Sequence, residues 1–186
     1  RSRRSIQMKT ITEFKSEKKV AIGVGLRHPH YADVLAPSSN ILTNYSTKVD
    51  FVEVHSENFF ARGGASRALI QEVAEKYPVS LHSTALGLGS KASIAGGYLE
   101  SLNELTQVIK PFLMSDHAAF SWSEFEGKSM HAGDLLPISF NEQNLKNMAN
   151  NIDAVQQLTG ERLLIENLSA YLQPKNSILA ETEFLV

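Results

Sequence analysis

The chain contains no cysteine. That excludes disulfides, zinc–thiolate sites, iron–sulfur clusters and a thiol nucleophile of its own. Any metal site must therefore use nitrogen and oxygen ligands. No apolar run approaches the roughly 20 residues that cross a bilayer. The basic first residues Arg1, Arg3 and Arg4 lack the apolar segment of a targeting signal, so residues 1–19 read as a flexible tail. A charge excess is missing too: 18 Lys and Arg stand against 20 Asp and Glu, a net charge of −2. This argues against a dedicated nucleic-acid binder or a polybasic membrane binder. A Gly-rich phosphate loop is also lacking, because Gly23 and Gly25 are followed by Leu-Arg-His-Pro and not by a third glycine opening a helix. What is present is 186 residues, 42% hydrophobic, enough for one domain with a core. A cytoplasmic, reducing setting fits the missing thiols.

Strand and helix signals alternate along the chain. Apolar runs at residues 20–26, 51–60, 79–84, 112–117 and 163–167 read as strands. Residues 31–35 suit a helical turn, broken by Pro37, Ser38 and Ser39. Helical stripes are expected over 67–76 with Ser66 as cap, over 99–109 ended by Pro111, and over 144–158 closed by Gly160. Another helix begins at Ala180. Helical connections between short apolar strands predict a parallel sheet. Regular βα repetition favours a TIM (β/α)8 barrel, a fold of roughly 250 residues. Five βα units are visible over 20–186, and the chain begins without Met and ends inside a helical pattern. The expectation is therefore a partial barrel whose C-terminal part is missing.

Four of the strands finish on metal-ligand residue types: His55, His82, Asp116 with His117, and Glu166 with Asn167. In a parallel barrel the C-terminal strand ends carry the catalytic groups. Along residues 51–60, alternation sets Glu53, His55 and Glu57 on one face and Val52 and Val54 on the other. Carboxylates around an imidazole are costly to bury without a cation. His55, His82, Asp116 and Glu166 are the candidate metal ligands, and one of Glu53 and Glu57 could join them. His117 directly follows Asp116, so on a regular strand the two face opposite ways. His117 then reaches the site only where the strand has turned into its loop. Asn167 could anchor a substrate or touch a metal. His28 and His30 around Pro29 suggest a lip, where Arg27 could hold a carboxylate or a peptide backbone. The segment from His131 to Asp134, with Trp122 and Phe125, reads as a loop or lid, and the two aromatics as packing or a wall for a peptide. Gly87 to Ser90 reads as a flexible turn over the site, with phosphate binding as the alternative.

These same residues carry a resemblance. Gly23 to Arg27 with Pro29 and His30, Glu53 to Phe60, Leu81 to Ser90, Ser115 to Ser121, Asp134 to Pro137, and Ile165 to Ser169 with Tyr171 resemble the multinuclear non-haem iron-dependent oxidases. That family includes the B-type enzyme of methanobactin biosynthesis and was formerly a domain of unknown function. The resemblance implies a TIM barrel of the sugar-isomerase type holding two or three iron ions. It implies dioxygen as cosubstrate and oxidation of residues, usually cysteines, in a ribosomally made precursor peptide. A leader-recognising partner protein is implied as well. By motif position His55, His82, Asp116 and Glu166 correspond to iron ligands, with Glu166 the candidate bridge and Glu166, His117 and Asn167 the candidate catalytic residues. The other family ligands come from strands six to eight. A divalent-metal isomerase or phosphodiesterase on the same barrel, and an inactive metal-binding fragment, are the competing readings.

Overall fold

In the computed structural model, residues 20–36, 49–169, 172 and 174–186 are described. The expected tail, the break at Pro37 to Ser39 and the motif residue Tyr171 lie outside them. In chain order the elements are β1 (Gly23–Gly25), α1 (Tyr31–Leu35), β2 (Phe51–His55), α2 (Gly64–Lys76), β3 (Val79–His82), α3 (Gly96–Ile109), β4 (Leu113–His117), β5 (Ala119–Phe125), β6 (Lys128–Pro137), α4 (Glu142–Thr159), β7 (Leu163–Glu166) and α5 (Glu181–Leu185). Short 3-10 turns follow β1 (His28–His30) and β2 (Ser56–Phe59).

Five strands form one sheet in the order β1-β2-β3-β4-β7, and every pairing is parallel. The βα alternation and parallel sheet match the expected class and are consistent with part of a TIM-like barrel. The register places His55 beside His82, His82 beside Ser115, and His117 beside Glu166. A one-residue slip would exchange the faces of the sheet. That register is held by the alternation itself: Val52, Val54, Met114 and Leu163 are buried, while their neighbours Glu53, His55, Ser115 and Leu164 are more open.

The helices cover the apolar face. In α3 the buried positions Leu102, Leu105, Thr106 and Ile109 follow helical spacing. No side chain caps this helix. Each buried aliphatic side chain contributes about 1.5–3 kcal/mol, against about 1 kcal/mol for a good cap, so packing decides where α3 forms. Both Thr106 and Thr159 turn their hydroxyls onto the carbonyls four residues back, at 2.8 and 2.9 Å, which satisfies them inside the core. Asn141 caps α4, its side chain accepting the Asn144 N–H at 3.0 Å, and Gly160 ends it at φ +77°. Ser66 does not cap α2: the helix begins at Gly64, one turn earlier than its apolar stripe indicates. Among the described residues no helix is long and apolar enough to cross a membrane.

Two further expectations are corrected. Residues 51–60 are not one strand, because β2 stops at His55 and Glu57 sits in the following 3-10 turn. The segment from His131 to Asp134 is not a loop but part of β6, which pairs antiparallel with β5.

Candidate metal centre

The C-terminal ends of β3, β4 and β7 bring His82, His117 and Glu166 together. One ligand atom from each lies within 4.8 Å of the others, so the three could hold a metal ion. His82 Nε2 is 3.9 Å and His117 Nε2 is 3.7 Å from Glu166 Oε2. Imidazole nitrogen and carboxylate oxygen bind transition metals at roughly 2.0–2.2 Å, so a small inward movement of Glu166, more than half exposed, would close the set. His82 is fixed from behind, where its Nδ1 and the Ser115 hydroxyl lie 2.8 Å apart. The imidazole rings form a run, with centroids 5.7 Å apart for His55–His82 and 4.8 Å for His82–His117. Burial, and next His82, hold the His117 imidazole below its usual range. That favours the neutral ring a metal requires. Its Nδ1 is buried with no hydrogen-bond partner. Two imidazoles and a carboxylate, with no thiolate, suit a metal that needs open positions for other ligands.

β4 remains a regular strand through His117. The residue sharing a face with His82 is thus His117, and Asp116 projects to the opposite, fully buried side. There Oδ2 accepts the Leu86 N–H at 3.1 Å and Oδ1 accepts the His117 N–H at 2.5 Å. Burial pushes its carboxyl up to about 8 against those two donors. Its Oδ1 is 3.9 Å from His117 Nδ1. His55 stands one ring further along the row, beyond His82. Asn167 is exposed and donates its amide to Glu181 at 3.5 Å. Glu53 accepts the Ser80 hydroxyl at 3.0 Å, lower on the sheet. His28 and His30 are exposed on their 3-10 turn.

The family model of the RiPP precursor modification enzymes MbnB/TglH/ChrH matches residues 21–186. The chain belongs to that family. Similar proteins include UPF0276 proteins of Psychromonas ingrahamii, 35% identical, Rhizorhabdus wittichii, 39% identical, and Chromobacterium violaceum, 38% identical. Each match covers 88% of this chain and 54–55% of the relative. The chain thus spans about half the length of the curated relatives it matches.

In this member of the MbnB/TglH/ChrH family, the turn at Gly87 to Ser90 is a packed platform. All four residues are buried. A Cβ on Gly87 would stand 2.9 Å from the Ser121 nitrogen, and one on Gly89 would stand 3.1 Å from the Ala119 oxygen. The Ser90 hydroxyl accepts the N–H groups of Ser121 and Trp122, and Asn151 of α4 donates to the carbonyls of Leu88 and Ser90. With these groups engaged, the platform supports the hairpin instead of forming a flexible turn. Sequence reasoning missed the hairpin. Its signal was the alternation around Trp122 together with the Glu126-Gly127 pair. Both residues take positive φ, 51° and 72°, as a two-residue type I′ turn demands. Phe120, Trp122, Phe125, Met130 and Leu136 line a mostly apolar groove of about 420 Å³ along the hairpin.

Proposed function

We propose that the whole protein is an iron- and dioxygen-dependent oxidase that modifies residues, above all cysteine, of a ribosomally made precursor peptide in the cytoplasm. A separate protein would recognise the peptide's leader. The observation carrying this reading is the His82–His117–Glu166 cluster at the strand ends of a member of this family. His55 is proposed as a further ligand and Asn167 as a group holding the substrate, while Asp116, on the opposite face, would hold the end of β4 through the Leu86 and His117 N–H groups. Bound iron supplies an electron relay between a substrate thiolate and dioxygen. The residues' part would be to offer the His82 and His117 imidazoles and the Glu166 carboxylate as donors to it. The peptide's cysteine is oxidised and dioxygen is reduced, taking up the protons released. The missing cysteine fits this scheme, since the thiol comes from the substrate and none of the chain's own can be oxidised in its place. The groove along β5–β6 offers Trp122 and Phe125 as a wall for the peptide.

The test is oxygen uptake and peptide mass change by the intact protein, loaded with iron and supplied with precursor and partner. Uptake is expected only with a cysteine-bearing peptide, and Glu166→Gln is expected to abolish it. Equal turnover of a Cys→Ser peptide would remove the reading and favour a metal isomerase or hydrolase.

A further inference from the structure

One feature near the cluster is unexplained by the three residues that form it. Glu57 leaves β2 in the 3-10 turn Ser56–Phe59. Its Oε1 accepts two hydrogen bonds, from the Thr84 N–H at 2.7 Å and from the Tyr98 hydroxyl at 2.5 Å. Its Oε2 is buried and has no partner. A carboxylate oxygen left bare in the interior is unfavourable, and Oε1 alone would suffice to tie the turn to α3. Thr84 lies two residues beyond His82, so this bond holds the carboxylate at the C-terminal end of β3.

We propose that Tyr98 is a positioning residue: its hydroxyl, with the Thr84 N–H, occupies Glu57 Oε1 so that Oε2 is presented as an additional anionic donor to a metal ion at the strand ends. The inference rests on the metal reading above. The geometry is suited to this task. Tyr98 is the third residue of α3, and its ring meets Phe60 edge-on at 5.0 Å. Ring packing thus aims the hydroxyl. The hydroxyl and a backbone N–H together fix both rotation and translation of the carboxylate, as partners of metal-binding carboxylates do. Replacing Tyr98 by Phe keeps the ring and deletes only that constraint.

The experiment is an oxygen-free cobalt(II) titration of the intact protein, read by affinity and by the visible d–d spectrum, in wild type, Tyr98→Phe, Glu57→Gln, the double variant and His82→Ala. Tyr98→Phe is expected to weaken cobalt binding by about tenfold and to shift the spectrum. The double variant is expected to bind no worse than Glu57→Gln, because Tyr98 acts through Glu57. Independent, additive losses would overturn the proposal. So would wild-type affinity in Glu57→Gln, which decides the matter even if Tyr98→Phe fails to fold. Wild-type binding by Tyr98→Phe alongside lost binding by His82→Ala removes the positioning role and leaves the metal reading standing. Unchanged binding by His82→Ala removes the metal reading itself.

Discussion

In the parallel sheet, the face turned away from the helices becomes polar at the strand ends, and its groups are held by neighbouring strands: His82 by Ser115, Glu53 by Ser80. The β5–β6 hairpin is built the other way. Its base is pinned through Ser90 and through the Trp122 indole N–H, which donates to the Ala85 carbonyl at 2.8 Å. Beyond that base it turns apolar groups outward, Phe125 being 64% and Met130 54% exposed. The sheet places a few side chains precisely enough for chemistry, which needs support from a packed framework. The hairpin offers surface, which suits contact with something larger. The difference implies that damage should separate: changes at the strand ends should affect metal, and changes on the hairpin should affect peptide.

The largest expected effect tests that separation directly. His82→Ala is expected to lower metal affinity by at least about 100-fold, since even an outer partner is worth 10–100-fold. Trp122→Ala is expected to leave metal content unchanged while raising KM for the precursor peptide. Metal analysis of anaerobically purified protein and peptide kinetics measure both. Loss of metal from Trp122→Ala would break the division between the two regions.

Next in size is the joint between them. Gly87→Ala puts a methyl group against backbone at a position with φ +61°. Overpacking of this kind costs about 1–3 kcal/mol, and each kcal/mol is worth roughly 2–4 °C in Tm for a chain of this size. Gly97→Ala is the counterpart: nothing lies within 4 Å of its added Cβ. As Ala favours helix by about 0.8–1.0 kcal/mol over Gly, this variant is expected to melt higher. Thermal unfolding of the pair should give opposite signs, and a neutral Gly87→Ala would mean that the platform yields easily.

How far the sequence announced all this follows from which forces act locally. Strand and helix order was legible because apolar spacing is a local signal, and β3, β4 and β7 end within a residue or two of where their runs end. His82 and Glu166, which the structure brings together, stand at or near the ends of such runs. The relative roles of Asp116 and His117 were less legible. Both sit at the end of β4, and which one faces the site depends on the register with β3 and β7, which no single segment carries. Glu57 was misplaced on a strand because alternation continues on paper past His55, where the backbone has already turned. Tyr98 was illegible for another reason: its link to Glu57 joins residues 41 positions apart, and a tyrosine near a helix start gives no signal of it. The hairpin was hidden by its turn, which uses Glu-Gly where Asn-Gly or Asp-Gly would have been recognised.

That turn supplies the smallest and most local prediction. Glu126 is one of two non-glycine residues with positive φ among the described residues. The left-handed conformation costs an ordinary residue roughly 1–2 kcal/mol, and Asn tolerates it better because its short amide can bond to nearby backbone. Glu126→Asn should therefore relieve a few tenths of a kcal/mol or more, up to about 1 kcal/mol. Because the hairpin tip is exposed from Glu124 to Met130, its opening is expected to be local and to cost less than global unfolding. The gain should then appear as slower amide exchange confined to the facing pairs Phe125–Lys128 and Glu124–Ser129. Exchange in β3 and β4, and metal affinity, should not change. If protection rose equally in the parallel sheet, the two regions would open as one unit, and the contrast between scaffold and presented surface would need to be abandoned.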